Sequence, residues 1–182
     1  MAATAAVAMA AAVALAGCGH LSPRDFAGTG PRFEPERYFA GHTRSRGVFE
    51  DRTGANPTRT FATDCQGTRE PDGTLTLRQT FTYADGSIQR RAWRIRRVDA
   101  HRYEATANDV VGTGRGEAWG NAFHWEYTVA LKPGNPLFNV RLRQWMYLQP
   151  DGHTVLNRAT VSKLGVTIAQ VAESFEKVPD RR

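Results

Sequence analysis

The sequence predicts an all-β fold, an antiparallel up-and-down barrel of about eight to ten strands, and two observations carry that reading. From residue 44 onward, short segments rich in branched and aromatic residues alternate apolar and polar positions at the period of two expected of half-buried strands. Turn chemistry separates them at intervals short enough for each strand to pair with the next. A two-sheet sandwich is the alternative for such a pattern; closure into a barrel removes the exposed edges that a long antiparallel sheet otherwise presents.

The elements follow in order. TRSRGVFE and TRTFATDC supply two candidate strands. TLTLRQTFTY then places Leu75, Leu77, Phe81 and Tyr83 on one face, Ala84-Asp85-Gly86 turns the chain, and SIQRRAWRIRRV returns with Trp93 and Ile95 together. Residues 74 to 98 therefore read as a hairpin with the Asp-Gly signal at its tip. HRYEATA alternates Tyr103, Ala105 and Ala107, and FHWEYTVAL alternates Trp125, Tyr127, Val129 and Leu131. KPGNP leads into FNVRLRQWMYL, PDG turns at 150 to 152, and HTVLNRATVSK comes back. The last segment, VTIAQVAESFEKV, is ambiguous, because Val171 and Phe175 fit a helical face while Val166 and Ile168 suit a closing strand. GTGRG at 112 to 116 has no lysine and no following helix, so it reads as a turn or bulge and not as a phosphate cradle.

Ahead of this body lies MAATAAVAMAAAVALAGCGH, uncharged between Ala2 and Gly17. The run is short of the roughly 20 residues that span a bilayer, and its small residues at the end favour a signal peptide over residues 1–17. Only the amino terminus is positive ahead of the apolar run, where such signals normally carry Lys or Arg. Leu15, Ala16, Gly17 and Cys18 look like a bacterial lipobox, which implies acylation of Cys18 and a membrane anchor through it. Gly19, in place of Asp, resembles the sorted lipoproteins of Gram-negative bacteria, and that resemblance implies the outer membrane, facing the periplasm. A buried first helix is the competing reading, yet this one would have no polar face and no caps. Residues 18–32, rich in Pro and Gly, read as a tether, and residues 33–178 as the barrel.

Charge and cysteine count narrow the chemistry. The net charge of +6 lies outside the signal peptide and is carried mostly by arginine. For an exported protein that balance points to anionic membrane surface or to plain solvated arginine, and away from nucleic acid. With Cys18 acylated, Cys65 alone would remain as a free thiol after processing, so no internal disulfide forms, and it reads as a small structural residue. The histidines at 20, 42, 101, 124 and 153 lack metal-ligand spacing, so no metal and no cofactor is expected. His124-Trp125-Glu126 matches half of a zinc deaminase signature, but the P-C-x-x-C half is missing and both polar residues of a strand point the same way, toward solvent.

The stretch NDVVGTGRGEAWGNAFHWEYTV, followed by QWMYL, LNRA and KLG, resembles the bacterial lipoproteins of domain-of-unknown-function family 3833 (DUF3833), across most of Phe33 to Phe175. The matching features include Phe39, Gly41, Asp85-Gly86, the Trp93 strand, Asp109 to Gly112, Gly120-Asn121, Trp145-Met146, Asn157-Arg158 and Lys163. The resemblance implies a lipobox, supporting the reading of Cys18; separately, a lipocalin-like barrel of about eight to ten strands can hold side chains or one small ligand. The resemblance implies no established activity; members often occur beside genes for fatty-acid-modifying enzymes. Many members carry acidic residues just before the Trp-Met pair, where this chain has Arg143 and Gln144.

The candidate binding residues are Arg91, Trp93, Asp109, Asn121, Trp125, Tyr127, Trp145, Asn157 and Lys163. The aromatic members would contact an apolar, fatty acyl ligand, and Arg91 or Lys163 its anionic head. If Asp109, Arg91 and Lys163 point inward they must be paired, because an unpaired buried charge is very costly; they would form a plug at one barrel end or a headgroup anchor. The expectation is thus a non-enzymatic carrier or binder of an apolar ligand with no catalytic residue. The alternatives are a structural envelope lipoprotein with a filled barrel and a lipid-acting enzyme using Asp109.

Overall fold

A computed structural model describes residues 21–179; the expected signal peptide, residues 1–17, and Cys18 lie outside them. Ten antiparallel strands make one closed barrel: β1 (Gly41–Asp51), β2 (Arg59–Arg69), β3 (Leu75–Tyr83), β4 (Ile88–Arg97), β5 (Arg102–Ala107), β6 (Val110–Trp119), β7 (Ala122–Ala130), β8 (Asn139–Leu148), β9 (Thr154–Lys163) and β10 (Val166–Lys177). Each strand pairs with the next in sequence, and β1 closes on β10 with Thr43 opposite Lys177 and Asp51 opposite Ala169. The ambiguous last segment is therefore a strand. Only a tenth strand satisfies the free edges of β1 and β9 at once.

Period two is realised along the walls. Leu75, Leu77 and Gln79 face in on β3, Trp93 and Ile95 on β4, and Trp125, Tyr127 and Val129 on β7, while the residues between them face out. The Asp85-Gly86 hairpin forms as the turn signal requires, with Gly86 at φ 82°. The glycine run of β6 is a bulge: register shifts between Val111 and Arg115, and Gly112 adopts φ 68°.

The two barrel ends differ. At the end where β1 begins, residues 33–39 fold across the opening as a plug built on one short helix, α1 (Pro35–Tyr38), with Pro35 at its first position. Phe33, Tyr38 and Phe39 are all buried there, Phe33 edge-on to Tyr38 and Phe123, and Phe39 edge-on to Phe175. Burying a side chain such as Phe33 contributes roughly 2 kcal/mol. The polar atoms are matched: the Tyr38 hydroxyl donates to the His153 and Phe175 carbonyls, and the Glu36 carboxylate accepts from Tyr103 and faces Arg97. The chain comes so close that a Cβ on Gly67 would sit 1.8 Å from the Phe39 carbonyl oxygen.

Residues 21–32, the expected tether, rest against the outer wall. A 3-10 turn over Pro23–Phe26, capped by Ser22, sets Phe26 against Trp145 and Tyr147 and Arg24 over Trp119. A short prolyl turn carrying one aromatic ring found an aromatic surface to cover, which composition alone does not reveal.

Candidate ligand-binding site

Inside the barrel a cavity of about 360 Å³ runs from the plug toward the loops at the opposite end. Its size falls within the roughly 300–1,000 Å³ of ordinary small-molecule sites. Phe39, Phe123, Met146 and Phe175 line the plugged end. Asp51, Thr53, Asn56 and Leu131 line the mouth.

Along the wall between them stands an aromatic cluster. The Trp93 and Trp125 rings lie 4.6 Å apart, and Tyr127 sits 5.0 Å from each. Their polar edges are tied down: Trp93 Nε1 donates to Gln79 Oε1 at 3.0 Å, and Trp125 Nε1 and the Tyr127 hydroxyl both donate to Gln144 Oε1. Buried indole and phenol groups need such partners. Gln144 therefore fixes two rings from inside the barrel, while Arg143 beside it is exposed. Burial pushes the Tyr127 phenol up to about 12.

Arg91 also lines the cavity, with Trp93, Phe81 and Tyr127 rings all within 5.9 Å of its guanidinium carbon. It is paired bidentately with Asp109, Nη2 donating at 2.7 Å and Nε at 2.9 Å, and both side chains are less than one-fifth exposed. A fork-on-carboxylate pair of this kind holds its geometry tightly. Asp109 thus commits both oxygens to Arg91.

The pattern reading missed the most unusual group in the cavity. Glu173, on β10, is buried and accepts hydrogen bonds from Ser45 Oγ at 2.5 Å and Asn157 Nδ2 at 2.9 Å, with Thr63 Oγ1 at 3.4 Å. Burial raises its carboxyl to about 7, against the pull of those donors. Asn157, which the sequence did single out, lies directly across the β9–β10 ladder, and its buried Oδ1 has no partner. Glu173 and Asn157 both line the cavity, so a ligand group that donates a hydrogen bond would satisfy that oxygen.

Of the nine expected binding residues, Arg91, Trp93, Trp125, Tyr127 and Asn157 line the cavity, and Asp109 joins through Arg91. Three lie elsewhere. Trp145 faces out, because Gln144 and Met146 take the inward positions of β8, and it packs on Phe26 and His124. Asn121 occupies the β6–β7 turn at the plugged end, where its amide bonds Thr29 and the Leu148 carbonyl. Lys163 ends β9 at the mouth, 5.5 Å from the Phe138 ring centre. The plug is built from residues 33–39 and not from the strand charges considered for it.

The remaining chemical candidates are structural in their surroundings. Cys65 is fully buried, and burial lifts its thiol to about 12, so it is inert as a nucleophile. Glu126 faces out and pairs with Arg141. Among the described residues there is no group of three or more potential metal ligands, and no helix is long and apolar enough to cross a membrane.

A model of the family described as "Protein of unknown function (DUF3833)" matches residues 12–177. No curated protein matches the chain. Among solved structures, an S-type phycobiliprotein lyase from Guillardia theta is similar at a TM-score of 0.57 and 8% identity, covering 83% of this chain and 95% of its own. A protein of unknown function from the DUF3598 family of Nostoc punctiforme is similar at 0.55 and 12% identity; the match covers 82% of this chain and about half of the Nostoc protein. At these identities the likeness is one of fold, that of a lipocalin-like barrel.

Proposed function

The chain belongs to the DUF3833 family, and from that premise we propose that it is a lipid-anchored envelope protein that binds or carries an amphiphile with a fatty acyl chain. The observation that carries this reading is the cavity: apolar and aromatic along most of its length, closed at one end by the plug, and open at the other. An acyl chain would lie against Trp93, Trp125 and Met146. Its polar head has two partners of opposite character, the Arg91 guanidinium for an anionic oxygen and the Asn157 and Glu173 pair for a hydroxyl or protonated acid. Anchoring rests on LAGC at residues 15 to 18, and the outer membrane, facing the periplasm, on Gly19 after it.

The test is mass spectrometry of the protein extracted gently from its own host's envelope, first native and then denatured. A diacyl or triacyl mass on Cys18 and a further mass lost on denaturation are expected. A bare barrel would overturn the carrier reading, and an unmodified amino terminus the anchor.

One observation favours a second reading. Glu173 is a cavity carboxyl whose ionisation falls near neutrality, the property of a general acid or base. An enzyme would then use Glu173, and Asp109 would hold Arg91. Recovery of a chemically altered lipid after incubation, abolished by Glu173→Gln, would favour it over the carrier.

A further inference from the structure

The mouth of the barrel carries an apolar rim on one side. The β7–β8 loop and the β9–β10 turn lie on neighbouring strands and present Leu131, Leu137, Leu164 and Val166, exposed by 60%, 76%, 97% and 65%. Exposed apolar groups gathered at one place mark a contact surface, whereas scattered ones do not. Leu164 is the most telling. It is the one non-glycine residue at positive φ among the described residues, at 49°, in a two-residue Leu-Gly turn where Asn-Gly is the favoured pair. The fold gains no burial from this leucine and accepts backbone strain to display it. Leu131 belongs both to the rim and to the cavity lining, so the apolar surface runs without a break from outside to inside.

The charge beside this rim is predominantly positive. Lys132 and Lys163 converge on the Phe138 ring, at 4.1 and 5.5 Å from its centre. Arg141, Arg143 and Arg158 face out from the wall below, and Glu126 is the single carboxylate that β7, β8, β9 and the two mouth connections present outward. The N-terminal turn is docked on the same wall at the far end, through Phe26 on Trp145 and Tyr147. A surface with leucines at its tip and cations around them matches the interface of an anionic bilayer, whose acyl boundary takes the leucines and whose phosphates take the lysines.

We propose that the β7–β9 wall lies on an anionic phospholipid membrane with the Leu131, Leu137, Leu164 and Val166 rim inserted, so that the cavity opens directly onto the lipid layer. This goes beyond ligand binding, since it assigns an orientation and a route of entry. It requires neither an occupied cavity nor an acylated Cys18.

The full chain is prepared with an environment-sensitive dye on Leu164→Cys or Leu137→Cys and, as reference, on Arg78→Cys, which is exposed on β3, across the barrel from β8. Cys65 is buried, and the unsubstituted chain gives the background from Cys18. On vesicles of phosphatidylglycerol and phosphatidylcholine, the dye at 164 and 137 is expected to shift to the blue. Doxyl-lipid should quench it several-fold more than the dye at 78. Lys132→Glu with Lys163→Glu should reduce that quenching to the level at 78. Equal quenching at all three sites would overturn the orientation. Undiminished rim quenching on pure phosphatidylcholine would overturn the anionic surface as the occupant. Protection of the rim dye by an envelope protein fraction, with no response to vesicles, would overturn the membrane in favour of a protein partner. None of these readouts depends on a ligand being found, so this proposal and the carrier reading fail separately.

Discussion

Glu173 sets a pH dependence that can be worked out from its surroundings. Burial raises its carboxyl from 4.5 to about 7, so the folded chain holds this proton more tightly than the unfolded chain does. Its contribution to stability is therefore fully present below pH 4.5 and is lost as pH rises toward and through about 7. The difference is on the order of 3 kcal/mol. Glu173→Gln should flatten that window and leave the protein more stable than the parent above it, as urea midpoints across the range would show. Asn157 can turn its amide to offer Oδ1 to the new donor, since that oxygen has no partner now. This residue was hidden in the sequence by a choice of period. Read as a helix, VAESFEK pairs Val171 with Phe175 and leaves Glu173 off the face; read as a strand, Val171, Glu173 and Phe175 share one wall. Trp145 was misplaced for the opposite reason, because QWMYL offers apolar residues at either parity, and only the run Val140, Gln144, Met146, Leu148 decides it.

Among elements, the strands were legible and the plug was not. Alternation and turn residues located the hairpins because each strand has one wet face and one dry one, and that contrast is written into consecutive residues. The plug has no such period: Phe33, Tyr38 and Phe39 are spaced by the path of the chain across the barrel end. Its closeness to β2 gives a test. Gly67→Ala places a methyl against the Phe39 carbonyl, where backbone and not a flexible side chain must move. Overpacking of this kind should cost about 2 kcal/mol or more, seen as a lowered midpoint of thermal unfolding. Gly120→Ala should act similarly, since its Cβ would meet the Phe26 carbonyl oxygen at 2.0 Å and its φ of 51° strains any residue that carries a Cβ.

For the whole molecule, the cavity makes filling and function separable. Ala159 is buried and lines the cavity, so Ala159→Phe directs a ring into open space. Thermal stability should stay level or rise, while uptake of a fluorescent fatty acid falls at least tenfold, roughly the effect of blocking a site worth over 1.4 kcal/mol. A barrel already filled by its own side chains would instead lose stability. The sequence could announce a closed sheet yet not this space, because strand number limits the interior while side-chain volumes at many distant positions decide how much stays empty.

Closure of the sheet also governs how the chain reaches its form in time. Because β1 completes its ladder only with β10, Thr43 opposite Lys177, no early portion of the polypeptide can finish a stable unit as it emerges. Two open edges persist until the last strand arrives, and the contacts that seal them are the most distant in sequence, which places refolding at roughly milliseconds to seconds and not microseconds. The hydroxyl of Tyr38 likewise waits for the Phe175 carbonyl, so the plug, although it precedes every strand, locks last. A nascent chain of this design completes its sheet only when synthesis is nearly done, so its folding follows synthesis and does not accompany it.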